Sequence, residues 1–278
     1  MSVTKTLFAL LAVGFFAGCF RHQEAPERPV TASSLADAAR QAQNVQRVVL
    51  NGNKLHEIPG SLASMPSLTI LYLRENSLTN FSALASMGTL EELDLSRNQL
   101  GKVPSEIEAL HALRHLYLSD CGLKGFPGLA SLASLEYLNL DRNAIEELPE
   151  QLPPSLRWLR LNENKVKKLP DSIGSLSRLQ RLYLEGNRLS ALPDSIGKLT
   201  LLEDVDLSGN AFSVFPDVLL DLPKLRNLDL RGNAGLQKLP EQIGKMKSLR
   251  TLVLAQCPLS KEERARVRAA LPHCVINF

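Results

Sequence analysis

The sequence predicts an α/β solenoid, in which each unit adds one strand to a concave parallel sheet and returns through a short convex segment. Three observations predict it. The pattern L-x-x-L-x-L-x-x-N-x-L occurs ten times within residues 45–259, at spacings of 21 to 24 residues. Eight of the nine links between copies place a proline after an apolar residue. Residues 34–44 and 260–278 depart from the repeat and are predicted to be the caps that the open ends of a solenoid need.

The first 18 residues have the composition of a signal peptide. Lys5 gives a positive start, and residues 6–18 are apolar over a length too short to span a bilayer. The segment Phe16-Ala17-Gly18-Cys19 resembles the lipobox of bacterial lipoproteins. That resemblance implies that Cys19 takes a diacylglycerol, and that the protein is anchored in the cell envelope, at the outer membrane in a diderm cell. An ordinary secretory signal and an uncleaved anchor are the alternatives.

Two short segments precede the repeats. Residues 19–33 are polar, contain proline and lack periodicity, so they are predicted to form a flexible tether. Residues 34–44 begin with Ser34 as a candidate N-cap and carry Asp37 in the first turn, with apolar residues at helical spacing. This pattern predicts an N-terminal capping helix.

Each repeat position has a predicted role. The alternation of a strand turns the fourth and sixth positions inward and the third, fifth and seventh positions outward. The ninth position is asparagine in eight copies and cysteine in two, Cys121 and Cys257. Three phenylalanines occupy the apolar slot before the proline site and are predicted to lie in the core: Phe81, Phe126 and Phe215.

The repeats, with stretches such as LPDSIGSLSRL, are similar to the leucine-rich repeat family and to its "LPxxIxxLxxL" subclass. The resemblance implies a right-handed solenoid whose convex side consists of short helical turns and extended pieces. It also implies that the ninth-position amide bonds backbone groups of adjacent turns. Cys121 and Cys257 are then structural substitutes for asparagine. The second repeat departs from the subclass, because Asn80-Phe81-Ser82 replaces the proline site.

Residues 260–278 are predicted to close the solenoid with a helix and a strand. Ser260 is a candidate N-cap for a basic amphipathic helix, and residues 272–278 suit a final strand. The arginines of this helix are predicted to be a solvated face, in preference to a phosphate site. Cys257 and Cys274 either pair or remain free, and the odd number of thiols after Cys19 favours free thiols.

The outward positions of the ten strands predict a continuous concave surface. All four tyrosines and the single tryptophan fall in the third and fifth columns. Tyr, Trp and Arg are enriched at binding hot spots, so a patch across repeats four to seven, with acidic residues on both sides, is predicted to bind a partner. In the alternative interpretation, the Tyr and Asp residues of "LYL" and "LDL" are generic consensus residues. The candidate partner-binding residues are Tyr72, His115, Tyr117, Tyr137, Trp158, Arg160, Arg181, Tyr183, Asp204, Asp206 and Asp229.

No sequence motif indicates catalysis or a cofactor. There is no glycine-rich phosphate loop and no Cys-x-x-Cys pair. His111 and His115 are four residues apart, but they are predicted to straddle a convex segment and a strand, so they should not share a face. The chain is therefore predicted to be non-enzymatic and to hold no metal or other cofactor. Its formal net charge of +3 gives no reason to expect a nucleic-acid partner.

Two functions from different classes remain open. The first is an envelope-tethered, monomeric recognition module that binds a protein, or alternatively a glycan, on its concave face. The second is an intracellular adaptor or signal-transduction regulator in which residues 1–18 are not a true signal. A passive structural component of the cell surface is a weaker third hypothesis.

Overall fold

A computed structural model describes residues 29–278. They form a single sheet of twelve strands whose spatial order follows the order of the chain. All eleven neighbouring pairs of strands are parallel, as in the pairing of Tyr137 with Trp158. The predicted solenoid is therefore confirmed. The predicted signal peptide, Cys19 and residues 20–28 of the predicted tether lie outside the described residues.

Ten strands belong to the repeats, and one further strand flanks them at each end. Each repeat strand is three residues long and is centred on the fourth position of its repeat. The strands are β1 Thr31–Ala32, β2 Arg47–Val49, β3 Ile70–Tyr72, β4 Glu92–Asp94, β5 His115–Tyr117, β6 Tyr137–Asn139, β7 Trp158–Arg160, β8 Arg181–Tyr183, β9 Asp204–Asp206, β10 Asn227–Asp229, β11 Thr251–Val253 and β12 Val275–Asn277.

The core lies behind the sheet and runs the length of the stack. In β6, Leu138 is fully buried, while its neighbours Tyr137 and Asn139 are half-buried. Leu140, at the sixth position, is also fully buried. Burying one leucine side chain stabilises the fold by about 1.5–3 kcal/mol, and each repeat contributes several. The strand alternation therefore leaves one polar or aromatic column on either side of the buried one.

The convex side contains seven short 3₁₀ helices and two links without a helix. Six of the helices begin directly after a proline, which occupies the N-cap position and whose missing N–H would have no helical partner there. The links that follow β5 and β6 have no helix. The helices are Gly60–Ser64, Ser82–Ser86, Ser105–Ala109, Asp171–Ser175, Asp194–Lys198, Asp217–Asp221 and Glu241–Lys245.

The three phenylalanines predicted for the core are not equally buried. Phe215 is buried, whereas Phe81 and Phe126 are only half-buried and pack against the edge of the core. Phe81 precedes a helix that lacks the proline, and Phe126 precedes a proline without a helix. The prediction was wrong for these two rings, because each lies in a link that departs from the proline–helix arrangement.

From the second repeat on, the ninth-position side chains form a buried or half-buried ladder along the stack. The amide of Asn187 donates to Leu161 O at 2.8 Å and to Leu184 O at 3.0 Å, and its Oδ1 accepts from Val166 N at 3.0 Å. It thereby satisfies backbone groups that the bend removes from water. At the same position Cys121 donates its thiol to Leu95 O at 3.4 Å. The bridging role implied for this position is thus present in the structure.

The eighth position has left-handed backbone geometry in all ten repeats, with φ between 53° and 71°. The chain turns away from the sheet there while its N–H still bonds the next repeat, as Gly186 N does to Ser208 O at 2.8 Å. Glycine adopts this conformation freely, whereas other residues do so at a cost of about 1 kcal/mol. The residues are Gly52, Glu75, Arg97, Asp120, Arg142, Glu163, Gly186, Gly209, Gly232 and Gln256.

The N-terminal end is closed by a helix and by strand β1. Helix α1 spans Leu35–Arg40, and the Ser34 hydroxyl accepts a hydrogen bond from Asp37 N at 3.1 Å. The predicted tether extended to residue 33, but Thr31 and Ala32 pair with β2, and Ala32 is fully buried. The tether boundary was therefore wrong at its C-terminal end. The free edge of β2 needs a strand partner, and these two residues provide it.

The C-terminal end is closed by helix α2 (Lys261–Ala270) and by strand β12, which pairs with β11. The Ser260 hydroxyl caps α2 by accepting from Glu263 N at 3.1 Å. Glu263 is buried and accepts from Leu239 N at 2.8 Å, and Arg266 bonds both Glu263 and Leu239 O. The ion pair between Glu263 and Arg266 therefore also binds backbone groups of the last repeats and attaches the cap to them.

The prediction of a solvated face for the arginines of α2 is only partly correct, because Arg268 is exposed whereas Arg264 and Arg266 are half-buried. Arg266 holds the cap to the last repeat, as described above. Arg264 and Arg268 lie over the ring of Phe278, at 5.6 Å and 4.7 Å from its centroid. Their guanidinium groups therefore cover the ring of Phe278, which is half-buried against the core.

The three thiols among the described residues are all free, so Cys257 and Cys274 do not pair. Burial raises the pKa of Cys121 to about 12 and also raises the pKa of Cys257. Within residues 29–278, no helix has the length and apolar character needed to cross a membrane.

Candidate functional site

The in-register sheet brings most of the predicted binding residues into two adjoining rows on the concave face. Of the eleven, only Tyr72 and Asp229 lie outside strands β5–β9. Tyr72 is on β3, two strands before His115, and Asp229 is one strand beyond Asp206. The third-position row runs through His115, Tyr137, Trp158, Arg181 and Asp204, and the fifth-position row through Tyr117, Asn139, Arg160, Tyr183 and Asp206.

Four rings form a continuous group, here called the aromatic patch: His115, Tyr117, Tyr137 and Trp158. Tyr137 is its centre. Its centroid lies 5.0 Å from Tyr117, 5.5 Å from Trp158 and 6.2 Å from His115. The contacts to Trp158 and His115 are edge-on, with interplanar angles of 71° and 80°. Such pairs contribute about 0.5–1.5 kcal/mol each, so the rings hold one another in place before any partner arrives.

Two arginines extend the patch toward β8. The Arg181 guanidinium lies 4.4 Å from the centroid of Trp158, and its Nε is 3.0 Å from Asp204 Oδ2. The Arg160 guanidinium lies 5.3 Å from the centroid of Tyr183. A guanidinium over an aromatic face is attracted by the ring quadrupole, and a bonded carboxylate fixes its position. Both cations are therefore oriented along the surface.

Asp141 was not among the predicted site residues, although it anchors Arg160. Its carboxylate is almost fully buried and accepts from Arg160 Nε at 2.8 Å and from Asn162 N at 2.8 Å. It occupies the seventh position of its repeat, which the strand alternation also turns outward. Aligning the seventh column down the stack would have identified it, as well as Glu185 two repeats later.

On the N-terminal side of the patch, Glu92 contacts two rings. It accepts a hydrogen bond from Tyr72 Oη at 2.8 Å, and its other oxygen lies 3.7 Å from His115 Nδ1. Burial raises the pKa of Tyr72 to about 12, and the bond to Glu92 adds to that shift. Burial and the Glu92 charge also raise the pKa of Tyr117. Both phenols are thus protonated hydrogen-bond donors at neutral pH.

On the C-terminal side, the surface becomes acidic. Asp206 accepts from Ser208 N at 2.9 Å and from Ser208 Oγ at 2.6 Å, while Asp229 is 3.1 Å from Arg231. Burial raises the pKa of Asp229. Burial and the neighbouring Asp206 charge raise the pKa of Glu185. Glu185, Asp206 and Asp229 thus place three carboxylates on three successive repeats of this part of the face.

Within residues 29–278, no group of three or more His, Cys, Asp or Glu side chains is placed to hold a metal ion. His115 lies on strand β5, whereas His111 is exposed in the preceding convex turn. The two histidines do not share a face. The arrangement offers rings, paired guanidinium groups and carboxylates on one extended surface, which is suited to contact with a macromolecule.

Two family models and one solved structure agree with this architecture. Residues 100–231 match the family described as a leucine-rich repeat region, and residues 43–100 match the family described as leucine rich repeat. The leucine-rich repeat domain of the type III effector XopL is 26% identical with a TM-score of 0.59, over 71% of this chain and 80% of that one. A leucine-rich repeat protein of Leptospira interrogans is 23% identical with a TM-score of 0.47, over 89% of this chain and 99% of that one. No curated protein matches the chain.

Proposed function

Because this chain is a leucine-rich repeat protein, we propose that it is a non-catalytic recognition module that binds a protein through the aromatic patch on its concave face. Repeats of this family generally mediate contacts between proteins. Solenoids expose such surfaces along a stacked sheet, where neighbouring units place equivalent positions side by side. The proposed contact surface also includes Arg160, Arg181 and Tyr183.

One observation carries the proposal: Tyr137 contacts three other rings while it remains half-exposed. Exposed aromatic residues that are already fixed in position lose little conformational entropy on binding. They can therefore contribute more to affinity than flexible side chains of equal size. A protein is favoured over a glycan, because Arg181 already lies over the Trp158 ring that a sugar would stack on.

The test is a pull-down from envelope extract with the full chain and with Tyr137→Ala/Trp158→Ala. The matched control is Thr251→Ala/Val253→Ala, which truncates two outward side chains of β11, four strands beyond Trp158. We expect the first variant to lose one or more partners that the wild type and the control retain. Circular dichroism would verify that both variants are folded. Identical partner lists for all three proteins would refute the proposal.

We further propose that the module is a monomer held in the cell envelope by a lipid on Cys19. The support is the sequence alone: the apolar segment 6–18, the lipobox-like Phe16–Cys19 and the polar segment that follows. Labelling cells with palmitate should mark the wild-type chain and not Cys19→Ala. An unlabelled wild-type chain in the soluble fraction would favour the intracellular adaptor. Sedimentation of the purified chain would test the monomer.

A further inference from the structure

The charges on the concave face are distributed unevenly. The third, fifth and seventh positions of β4–β10 carry seven carboxylates and three guanidinium groups, in a chain whose formal net charge is +3. The carboxylates belong to Glu92, Asp94, Asp141, Glu185, Asp204, Asp206 and Asp229. The concave surface is therefore negatively charged although the whole chain is positively charged. This local charge favours a positively charged partner.

All three guanidinium groups of this surface are already neutralised by carboxylates. Arg160 pairs with Asp141 at 2.7 Å, Arg181 with Asp204 at 3.0 Å and Arg231 with Asp229 at 3.1 Å. Four carboxylates remain, and among the described residues none of them forms an ion pair with a lysine or arginine. They are Glu92, Asp94, Glu185 and Asp206.

These four carboxylates lie at the two ends of the aromatic patch. Glu92 and Asp94 are on β4, next to His115 and Tyr117 of β5. Glu185 follows β8, and Asp206 is on β9. Four to five strand separations of about 4.8 Å place the two acidic ends about 19–24 Å apart. An extended polypeptide covers that distance in about 6–8 residues at about 3.3 Å per residue.

We infer that the partner is an extended cationic polypeptide segment, with an apolar or aromatic side chain on the aromatic patch and lysine or arginine side chains at both acidic ends. This inference rests on the proposed function, because it assigns the chemistry of the ligand to that same surface. We infer a basic segment because its charge is complementary to the unpaired carboxylates at both ends of the patch. Opposite charges at both ends fix where the segment sits along the patch and accelerate its association.

The inference can be tested by selecting random displayed peptides of about 12 residues, long enough to span about 24 Å, on the full-length chain. We expect enriched peptides to carry Lys or Arg on both sides of an aromatic or large apolar residue, about 6–8 residues apart. Enrichment of acidic or uncharged peptides, of peptides basic at one end only, or of no peptides would overturn the inference.

The enriched peptide then serves as the probe in binding measurements with charge variants. At low salt, Glu185→Gln/Asp206→Asn should bind the peptide about tenfold more weakly than the wild type does. Added salt should also weaken peptide binding by the wild type. The matched control, Asp171→Asn/Asp217→Asn, removes two exposed carboxylates from the convex helices and should leave affinity unchanged. Equal affinity of wild type and Glu185→Gln/Asp206→Asn would refute the charge assignment.

The two proposals fail in different ways. If Tyr137→Ala/Trp158→Ala binds the peptide as tightly as wild type while the acidic variant does not, the aromatic patch is not the contact surface and the charge assignment stands. If the aromatic variant loses binding and the acidic variant retains it, the proposed function stands and the cationic partner is refuted.

Discussion

Arg160 on β7 donates to the buried carboxylate of Asp141 on the neighbouring turn, with its Nε and terminal nitrogen 2.8 Å and 2.7 Å from the same oxygen. The pair connects the concave faces of two neighbouring repeats. Arg160 is partly exposed and reaches over Tyr183, whereas Asp141 is not accessible to solvent.

Replacing Arg160 with alanine should destabilise the fold, because Asp141 would remain buried without its cation. We expect a loss of about 1–3 kcal/mol, the range for an unsatisfied buried polar group. The measurement is the urea midpoint of unfolding. Arg181→Ala is the control: it removes an arginine from Asp204, which is more exposed, and should cost less. Equal losses for the two variants would contradict the role of Asp141 burial.

Removing a ninth-position amide should cost more than removing an ordinary surface side chain. Asn187→Ala leaves Leu161 O, Leu184 O and Val166 N without their partner. A loss of about 2–4 kcal/mol is expected from several unsatisfied buried groups. Asn53→Ala should change stability by less than about 0.5 kcal/mol, because Asn53 is exposed in the first repeat.

Asn187→Cys should fall between these two variants. At the natural cysteine position, Cys121 donates to Leu95 O, and the amide of Leu100 bonds Asn98 O at 2.9 Å instead of the side chain. A thiol can therefore replace the donor of the asparagine, but it does not replace its acceptor. A cysteine variant as unstable as Asn187→Ala would show that the thiol bond contributes nothing.

Because the eighth position has left-handed backbone geometry, glycine there should give a more stable fold than other residues do. Gly186 has a φ of 66° and Glu163 has a φ of 53°. We expect Gly186→Ala to destabilise the fold and Glu163→Gly to stabilise it, each by about 1 kcal/mol, as judged by thermal or urea midpoints. Gly88→Ala is the control: Gly88 is outside the left-handed region and an added Cβ meets no atom within 4 Å. A loss at Gly88 equal to that at Gly186 would contradict the conformational argument.

The tyrosines should ionise at higher pH in the folded protein than in the unfolded one. Burial raises the pKa of Tyr72, Tyr117, Tyr137 and Tyr183, which are all four tyrosines of the chain. Absorbance titration should therefore show little tyrosinate at pH 10, where the urea-unfolded chain is about half ionised. A folded-state midpoint at or below that of the unfolded chain would contradict the burial of these rings.

The sign of the linked stability change follows from the same shifts. The folded state binds the phenolic protons more tightly than the unfolded state does. The contribution of Tyr72 to the free energy of unfolding is therefore fully present below pH 10.0. It is lost as the pH rises through about 12. Tyr72→Phe should show a smaller loss of stability over that interval than the wild type. Identical slopes for the two proteins would mean that Tyr72 is not the linked group.

Much of the fold was predictable from sequence, because period and alternation determine it. The fourth-position leucines, the buried asparagine ladder and the two N-caps Ser34 and Ser260 all follow from local pattern. The strand at Thr31–Ala32 was not predictable, since two residues carry no periodicity and pair only because β2 would otherwise end the sheet. The left-handed eighth position was not predictable for a different reason: six of its ten residues are not glycine.

The candidate site was predictable in its columns and not in its contacts. Tyr137 and Trp158 could be placed side by side from the register alone. The stacking of Arg181 on Trp158, and the anchoring of Arg160 by Asp141, depend on rotamers that a pattern does not encode. Arg266 shows the same limit at the C-terminal cap, where a residue expected in solvent bonds Glu263 and Leu239 O.

In the in-register sheet, the distance between two residues at the same repeat position is a whole number of strand spacings. Glu92 on β4 and Asp206 on β9 are five strand-to-strand steps apart, and each keeps its repeat position whatever number of repeats lies between them. Duplication or deletion of the coding segment for one repeat would change their separation by about 4.8 Å and leave the rest of each unit intact. A change in the number of repeats would thus alter the distance between the two acidic ends of the concave face, while the contacts within each repeat stay the same.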